Sequence, residues 1–276
     1  MGKFEAYTKS IRVEDAAERL RAITALANFA DQRGVDGSVH IPLMKEEGLV
    51  AAIVKIAKYD EDDAKAQAFA AIFRMGRAGV NKTPLFKFPG LVEVVVNSAR
   101  ANHGRARVTA CTVLASIGIT EDYYDYLSKA ANASLLDTLV RIAKDKSEGE
   151  ARMWSIQAIS HFARSPPIAP YLLASNILPT MMEVVRKAGT DLSRWRGNAC
   201  EFWALSFLMN IAQADAAAPE IDSLLRVNGI YELLSPLATQ TSMQALNAAA
   251  TLAFVVGEDE EGKSPSSLLT NHPSPC

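Results

Sequence analysis

A leucine-containing run that closes on Gly or Asn and is followed at once by Leu or Ile recurs along this chain, and its spacing limits the folds open to it. The runs are Leu43-Met44-Lys45-Glu46-Glu47-Gly48 before Leu49, Leu85-Phe86-Lys87-Phe88-Pro89-Gly90 before Leu91, Leu172-Leu173-Ala174-Ser175-Asn176 before Ile177, and Leu224-Leu225-Arg226-Val227-Asn228-Gly229 before Ile230. Ala133-Ser134 before Leu135 is a looser member of the set. From Leu49 through Leu91, Leu135 and Ile177 to Ile230 the steps are 42, 44, 42 and 53 residues, the last holding an insertion. Gly and Asn accept the left-handed conformation that closes a helix, so each run reads as a short helix that stops and turns sharply. A period of about 40 to 47 residues is that of stacked helical repeats.

Two kinds of helix follow each junction. The first is a segment of about ten residues with helical spacing: Leu49-Val50-Ile53-Val54-Ile56, Leu91-Val92-Val94-Val95, Leu135-Leu136-Leu139-Val140-Ile142, and Ile177-Leu178-Met181-Met182-Val184-Val185. The second is longer and alanine-rich, over 64–77, 105–118, 150–163, 197–212 and 242–256. Residues 13–30 have the same character and read as the last helix of a truncated first repeat. Alanine lets neighbouring helices approach closely, as stacked repeats require. No run of alternating apolar and polar residues flanked by hairpin turns is present, so strands are not expected.

The order short helix, glycine, medium helix, long helix resembles the armadillo repeat rather than the two-helix HEAT unit, over roughly residues 10 to 256. The resemblance implies an all-α, right-handed α-α superhelix, an armadillo-type solenoid of about five to six three-helix repeats. The expected organisation is an N-terminal segment 1–12, a repeat domain 13–256 and a disordered Ser-, Pro- and acid-rich tail 257–276. In such an array each repeat buries its apolar face against the next, and the end repeats need caps. Glu14, Asp15 and Glu18 suit solvation of the first end, whereas Leu252, Phe254, Val255 and Val256 leave the last helix apolar. Either the tail folds over that helix, or the C-terminal end is an association surface.

The 29 Lys and Arg against 31 Asp and Glu give a formal charge of -2, too balanced for the broad attraction that drives nucleic-acid or anionic-membrane binding. Cys111, Cys200 and Cys276 lie far apart and form no paired spacing, which argues against a disulfide framework or a zinc site and for a reducing compartment. No stretch approaches the length of a membrane span, and residues 1–6 carry charges where a secretory signal needs an apolar run. A cytoplasmic protein, with the nucleus also open to it, is the expectation.

Armadillo families of the importin-α type place Trp and Asn four residues apart on the long third helix, where the Asn amides bond a peptide backbone and the Trp rings hold its side chains. Aligning the long helices on Leu26, Ile72, Leu114, Ile159, Leu208 and Leu252 puts Asn28, Arg74, Ser116, His161, Asn210 and Phe254 at the Asn position and Thr24, Ala70, Thr112, Gln157, Ser206 and Ala250 at the Trp position. Shifting the fifth helix to use Trp203 leaves Phe207 at the Asn place. Recognition of nuclear signals in that manner is therefore not expected. The groove candidates that remain are Arg74, Trp154, Gln157, His161, Trp203, Asn210 and Phe254, a mixed aromatic and polar set of the kind found at binding hot spots. Trp154 and Trp203 equally suit the core faces of their helices, and His161, beside Phe162, suits a packed histidine.

Arg19, Lys65, Arg107 and Arg152 each stand seven residues before the alignment anchor, and their expected role is pairing with acids of adjacent turns such as Asp63 or Glu148. Asp60-Glu61-Asp62-Asp63 lacks the Gly and alternating ligands of a calcium loop and reads as an acidic helix start. Pro167-Ile168-Ala169-Pro170 reads as the opening of a first helix. Histidines 40, 103, 161 and 272 occur singly, and no phosphate loop is present. These features point to a non-catalytic scaffold or adaptor with no cofactor or metal, holding a protein or peptide segment on the concave face. A chaperone that holds unfolded clients, resembling the myosin-chaperone branch, is the alternative on the same fold, as is a regulatory module of a larger assembly.

Overall fold

The computed structural model describes residues 4–32, 39–101, 104–117, 133–188, 200–214 and 228–239, together with residues 225, 248 and 251. Among these residues the regular elements are all helices: α1 Glu5–Ser10, α2 Ala16–Gln32, α3 His40–Lys45, α4 Leu49–Tyr59, α5 Asp62–Met75, α6 Gly79–Phe86, α7 Leu91–Arg100, α8 Arg105–Ile117, α9 Ala133–Lys144, α10 Gly149–Phe162, α11 Ala169–Ala174, α12 Leu178–Ala188, α13 Cys200–Ala214 and α14 Ile230–Ala238. The triplets α3–α4–α5, α6–α7–α8 and α11–α12–α13 reproduce the short, medium and long order read from the sequence.

The recurrent junctions are the places where the backbone turns over. Gly48, Gly90 and Gly229 have φ of 70°, 77° and 74°, and Asn176 has φ of 55°. At Gly48, Gly90 and Asn176 the chain leaves a short first helix and turns into the next, and at Gly229 it enters α14, a turn that a residue without a Cβ, or with a short amide, accepts at least cost. At the looser junction α9 begins at Ala133, and the residues ahead of it lie outside the described residues.

Each second helix buries a broad apolar face; on α7 it comprises Leu91, Val92, Val94, Val95, Val96 and Ala99. The third helices bury alanines between a few large residues, as on α5 with Ala64, Ala66, Ala68, Phe69, Ala71, Ile72 and Met75. Small side chains between anchors let these helices stack in register: α2 on α5, α5 on α8, α8 on α10 and α10 on α13. The second helices form a parallel layer through α4 on α7, α7 on α9 and α12 on α14. One continuous core runs from Phe4 to Ala248 through both layers.

Charged residues tie successive repeats at the starts of the third helices. Arg19 bonds Asp60 at 2.8 Å and also donates to the Val13 and Glu14 carbonyls. Arg107, almost wholly enclosed, pairs with Glu148 at 2.7 Å. Both acids stand in the turn ahead of the next third helix, so these two ion pairs each span a repeat boundary. Arg152 instead donates to the Ala143 carbonyl at 2.9 Å, and Asp63 pairs with Arg105 at 3.0 Å rather than with a member of the aligned basic row. Asp62 lies in the first turn of α5, but its carboxylate accepts from the Arg105 and Ala106 amides at 2.8 and 3.2 Å, so it caps α8 of the next repeat.

At the N-terminal end α1 packs on α2 and α4, with the Phe4 and Tyr7 rings 5.8 and 5.6 Å from that of Phe29. A short helix thus covers this end through aromatic contacts. Asp15, expected to solvate it, accepts from the Glu18 amide at 2.7 Å. Pro170 stands at the start of α11, as its sequence context suggested. Of the expected helix 242–256, residues 248 and 251 are helical and buried, while Phe254 and the tail lie outside the described residues.

Candidate functional site

On each third helix the residues five before, two before and two after the buried anchor form a stripe along its more open side. In chain order these are Arg21, Thr24 and Asn28 on α2, Gln67, Ala70 and Arg74 on α5, Thr109, Thr112 and Ser116 on α8, Trp154, Gln157 and His161 on α10, and Trp203, Ser206 and Asn210 on α13. The spacings of three and four residues keep them on one helical face. Burial deepens along the array: Arg21 and Asn28 are exposed, the middle residues are mostly half-buried, and Ser116, His161, Ser206 and Asn210 are buried.

Candidates at α10 and α13 come together. The His161 ring meets the Trp203 indole edge to face at 5.0 Å, and Phe202 meets the same indole at 4.8 Å. Trp154 and Trp203 pack on the core while remaining half-exposed, so each ring serves both layers that the sequence left open. Gln157 Oε1 and Trp203 Nε1 are enclosed and have no hydrogen-bond partner, a costly state for polar atoms on neighbouring helices. Asn210 is buried, and its amide donates to the Ser160 carbonyl at 2.7 Å, which removes it from contact with a partner's backbone. Burial, with Arg164 and Lys82 nearby, pushes the His161 pKa down to about 4, so the ring is neutral at physiological pH.

Arg74 lies two repeats away on α5, where it and Arg77 approach the same carboxylate, Asp31, at 3.5 and 2.9 Å. Lys82, on α6, was not singled out by the alignment of third helices, because it belongs to a first helix. Only the fold carries its charge to His161, and burial lowers its pKa. Arg164, just past the end of α10, was likewise outside the aligned positions.

Of the two described cysteines Cys111 is buried and Cys200 half-buried, and neither thiol is activated. Burial pushes the Cys111 thiol up to about 11, against a weak contact from the Ser155 hydroxyl at 3.6 Å, and burial also raises that of Cys200. Among the described residues no three His, Cys, Asp or Glu side chains gather as metal ligands.

This architecture is that of solved armadillo solenoids. The designed armadillo repeat protein YIII(Dq)4CqI superposes with a TM-score of 0.75 at 19% identity, covering 92% of this chain and 100% of that one. Another, YIII(Dq.V1)4CPAF in complex with the peptide (KR)4, gives a TM-score of 0.74 at 18% identity, covering 92% of this chain and 100% of that one. A chain from a study of the phosphorylation-controlled interaction between cadherin and beta-catenin gives 0.67 at 14% identity, covering 95% of this chain and 45% of that one. No protein-family model matches the sequence, and no curated protein sequence matches it. The chain therefore has the right-handed, all-α armadillo-type fold, in which third helices line the concave face. Among the described residues no helix is long and apolar enough to cross a membrane.

Proposed function

We propose that this chain is a non-catalytic protein-interaction scaffold that holds an extended segment of a partner protein along the third-helix stripe, with its centre at α10 and α13. The observation that carries the reading is the half-open Trp203 ring, packed edge to face with Phe202 and His161, with a second half-open indole, Trp154, on the neighbouring third helix and the enclosed, unpartnered polar atoms of Gln157 and Trp203. Half-open indole rings bordered by polar groups have the composition of interface hot spots. Solenoids suit such work because their concave face presents equivalent positions at regular spacing to an extended chain. Among other proteins of this fold, the designed armadillo repeat protein YIII(Dq.V1)4CPAF is in complex with the peptide (KR)4, and another comes from a study of the interaction between cadherin and beta-catenin. The neutral His161 and the protonated, buried Cys111 support a binding role over a catalytic one.

The partner does not follow the importin-α mode. The stripe holds no Trp–Asn pair at the required spacing, and Asn210 already bonds Ser160. Partner capture with the wild-type chain and with Trp154→Ala, Gln157→Ala and Trp203→Ala variants tests the assignment. We expect each variant to weaken capture by about 1 to 3 kcal/mol, Trp203→Ala most. Unchanged capture by all three, with folding verified by circular dichroism, would remove the site from this face.

A further inference from the structure

The layer of second helices is incompletely covered at its N-terminal end. Towards the next repeat α4 packs on the ten-residue α7, whereas α1, six residues long, rests on it at the end of the array. A cavity of about 660 Å³ lies between α4 and residues 11–14, the connection from α1 to α2. Its floor runs the length of α4, an eleven-residue helix of roughly 17 Å. Ala51, Ala52 and Ile56 make the apolar part of that floor. No residue of the third-helix stripe lines the cavity, so it is separate from the groove proposed above.

Charge is ordered along this trough. Arg12, packed beside Gly48 at the start of α4, and Lys55 face it from opposite walls, and both are exposed with no side-chain partner among the described residues. They outnumber Glu14, the one acid of the cavity outside an ion pair, since Asp60 is held by Arg19. Tyr59, 68% exposed, stands at the other end, where a second cavity of about 520 Å³ continues the trough and shares Arg19, Tyr59 and Asp60 with the first. There the sign reverses, because Glu61, Asp62 and Asp63 line it with Arg19 as the one base.

We propose that this trough docks a short amphipathic helix of a partner protein, lying parallel to α4 with an acidic first turn against Arg12 and Lys55 and a basic last turn beyond Tyr59. Acids at the start and bases at the end are the order that a helix dipole favours. Alanines 51 and 52 let a helix approach closely, whereas an extended segment on an alanine floor would find no side chains to pair its amides. Two to three turns match the length of α4 and complete the layer that α7 continues on its other side. A segment acidic throughout is opposed by Glu61 to Asp63, and one basic throughout by Arg12 and Lys55.

The test is selection, on the full chain, of a displayed library of twelve-residue peptides with a fixed apolar helical face and random residues elsewhere. Asp and Glu should be enriched in the first turn and Lys and Arg in the last, and circular dichroism should show bound peptides gaining helix. Ala51→Trp, at an exposed position whose new side chain fills the trough, should abolish capture. Arg12→Glu combined with Lys55→Glu should weaken individual binders about tenfold, and Lys87→Glu, exposed just past α6, should change nothing. Capture that survives Ala51→Trp would place the binding elsewhere and overturn the proposal, as would a pool without the charge order or no enrichment at all. Dimerisation seen by sedimentation without peptide and lost on Ala51→Trp would make a second copy the occupant and overturn the partner helix.

Discussion

His161 shows how position converts a titratable side chain into a structural one. Its ring packs on Trp203, and burial together with Lys82 and Arg164 holds its pKa near 4, below the ordinary value of 6.5. Between those two values the unfolded chain binds a proton that the folded chain refuses, so stability falls as pH drops through this window and levels off below it. The full effect is roughly 3 kcal/mol at most, since each unit is worth about 1.4. Chemical denaturation at a series of pH values should show this loss in the wild type and a flatter profile for His161→Gln. Equal slopes would place the titration on other groups. Arg107 and Glu148 make a related point: the pair is enclosed, so its value lies in mutual compensation at a repeat boundary rather than in net attraction.

At the level of helices, the left-handed junctions decide where each repeat folds back. Gly90 and Gly48 share this conformation and differ in their surroundings. A Cβ on Gly90 meets nothing within 4 Å, whereas one on Gly48 would lie 1.9 Å from the Arg12 guanidinium nitrogen. Gly90→Ala should therefore cost about 1 to 2 kcal/mol, the strain of an L residue at positive φ alone. Gly48→Ala should cost that strain and also displace Arg12 from its place beside α4. Urea midpoints of the two variants check this, and an unaltered midpoint for Gly90→Ala would contradict the left-handed assignment.

For the molecule as a whole, stability in a stacked array is a sum of repeat and boundary terms, so the ends open before the middle. Helices α5, α8 and α10 each have third-helix neighbours on both sides, while α1 rests on α2 and α4 at one end. Hydrogen exchange followed by mass spectrometry should find the slowest amides on α5, α8 and α10 and the fastest of the described helices at α1. Uniform protection would mean that the array unfolds as one cooperative unit. Peptide bound across α10 and α13 should slow exchange there first and spread along neighbouring third helices, because each buries a face of the next.

Local chemistry determined the repeat without help from the rest of the chain. Gly and Asn at fixed spacing, apolar faces of about ten residues and alanine-rich long helices all encode backbone preferences that act within a few residues, and the helices α4, α7, α8 and α10 fall close to where those signals put them. The basic row was also legible as a set of structural charges, and Arg19 and Arg107 pair across repeat boundaries. What the groove presents was not encoded locally. Asn210 and Arg74 occupy equivalent aligned positions, yet one is buried against Ser160 and the other reaches Asp31, because neighbouring repeats differ in what they bring alongside. Lys82 acts on the buried His161 from a first helix, and Asp62 caps a helix of the next repeat rather than its own. Charge and exposure at such positions are set by contacts between residues some 40 apart in sequence, and only stacking decides those.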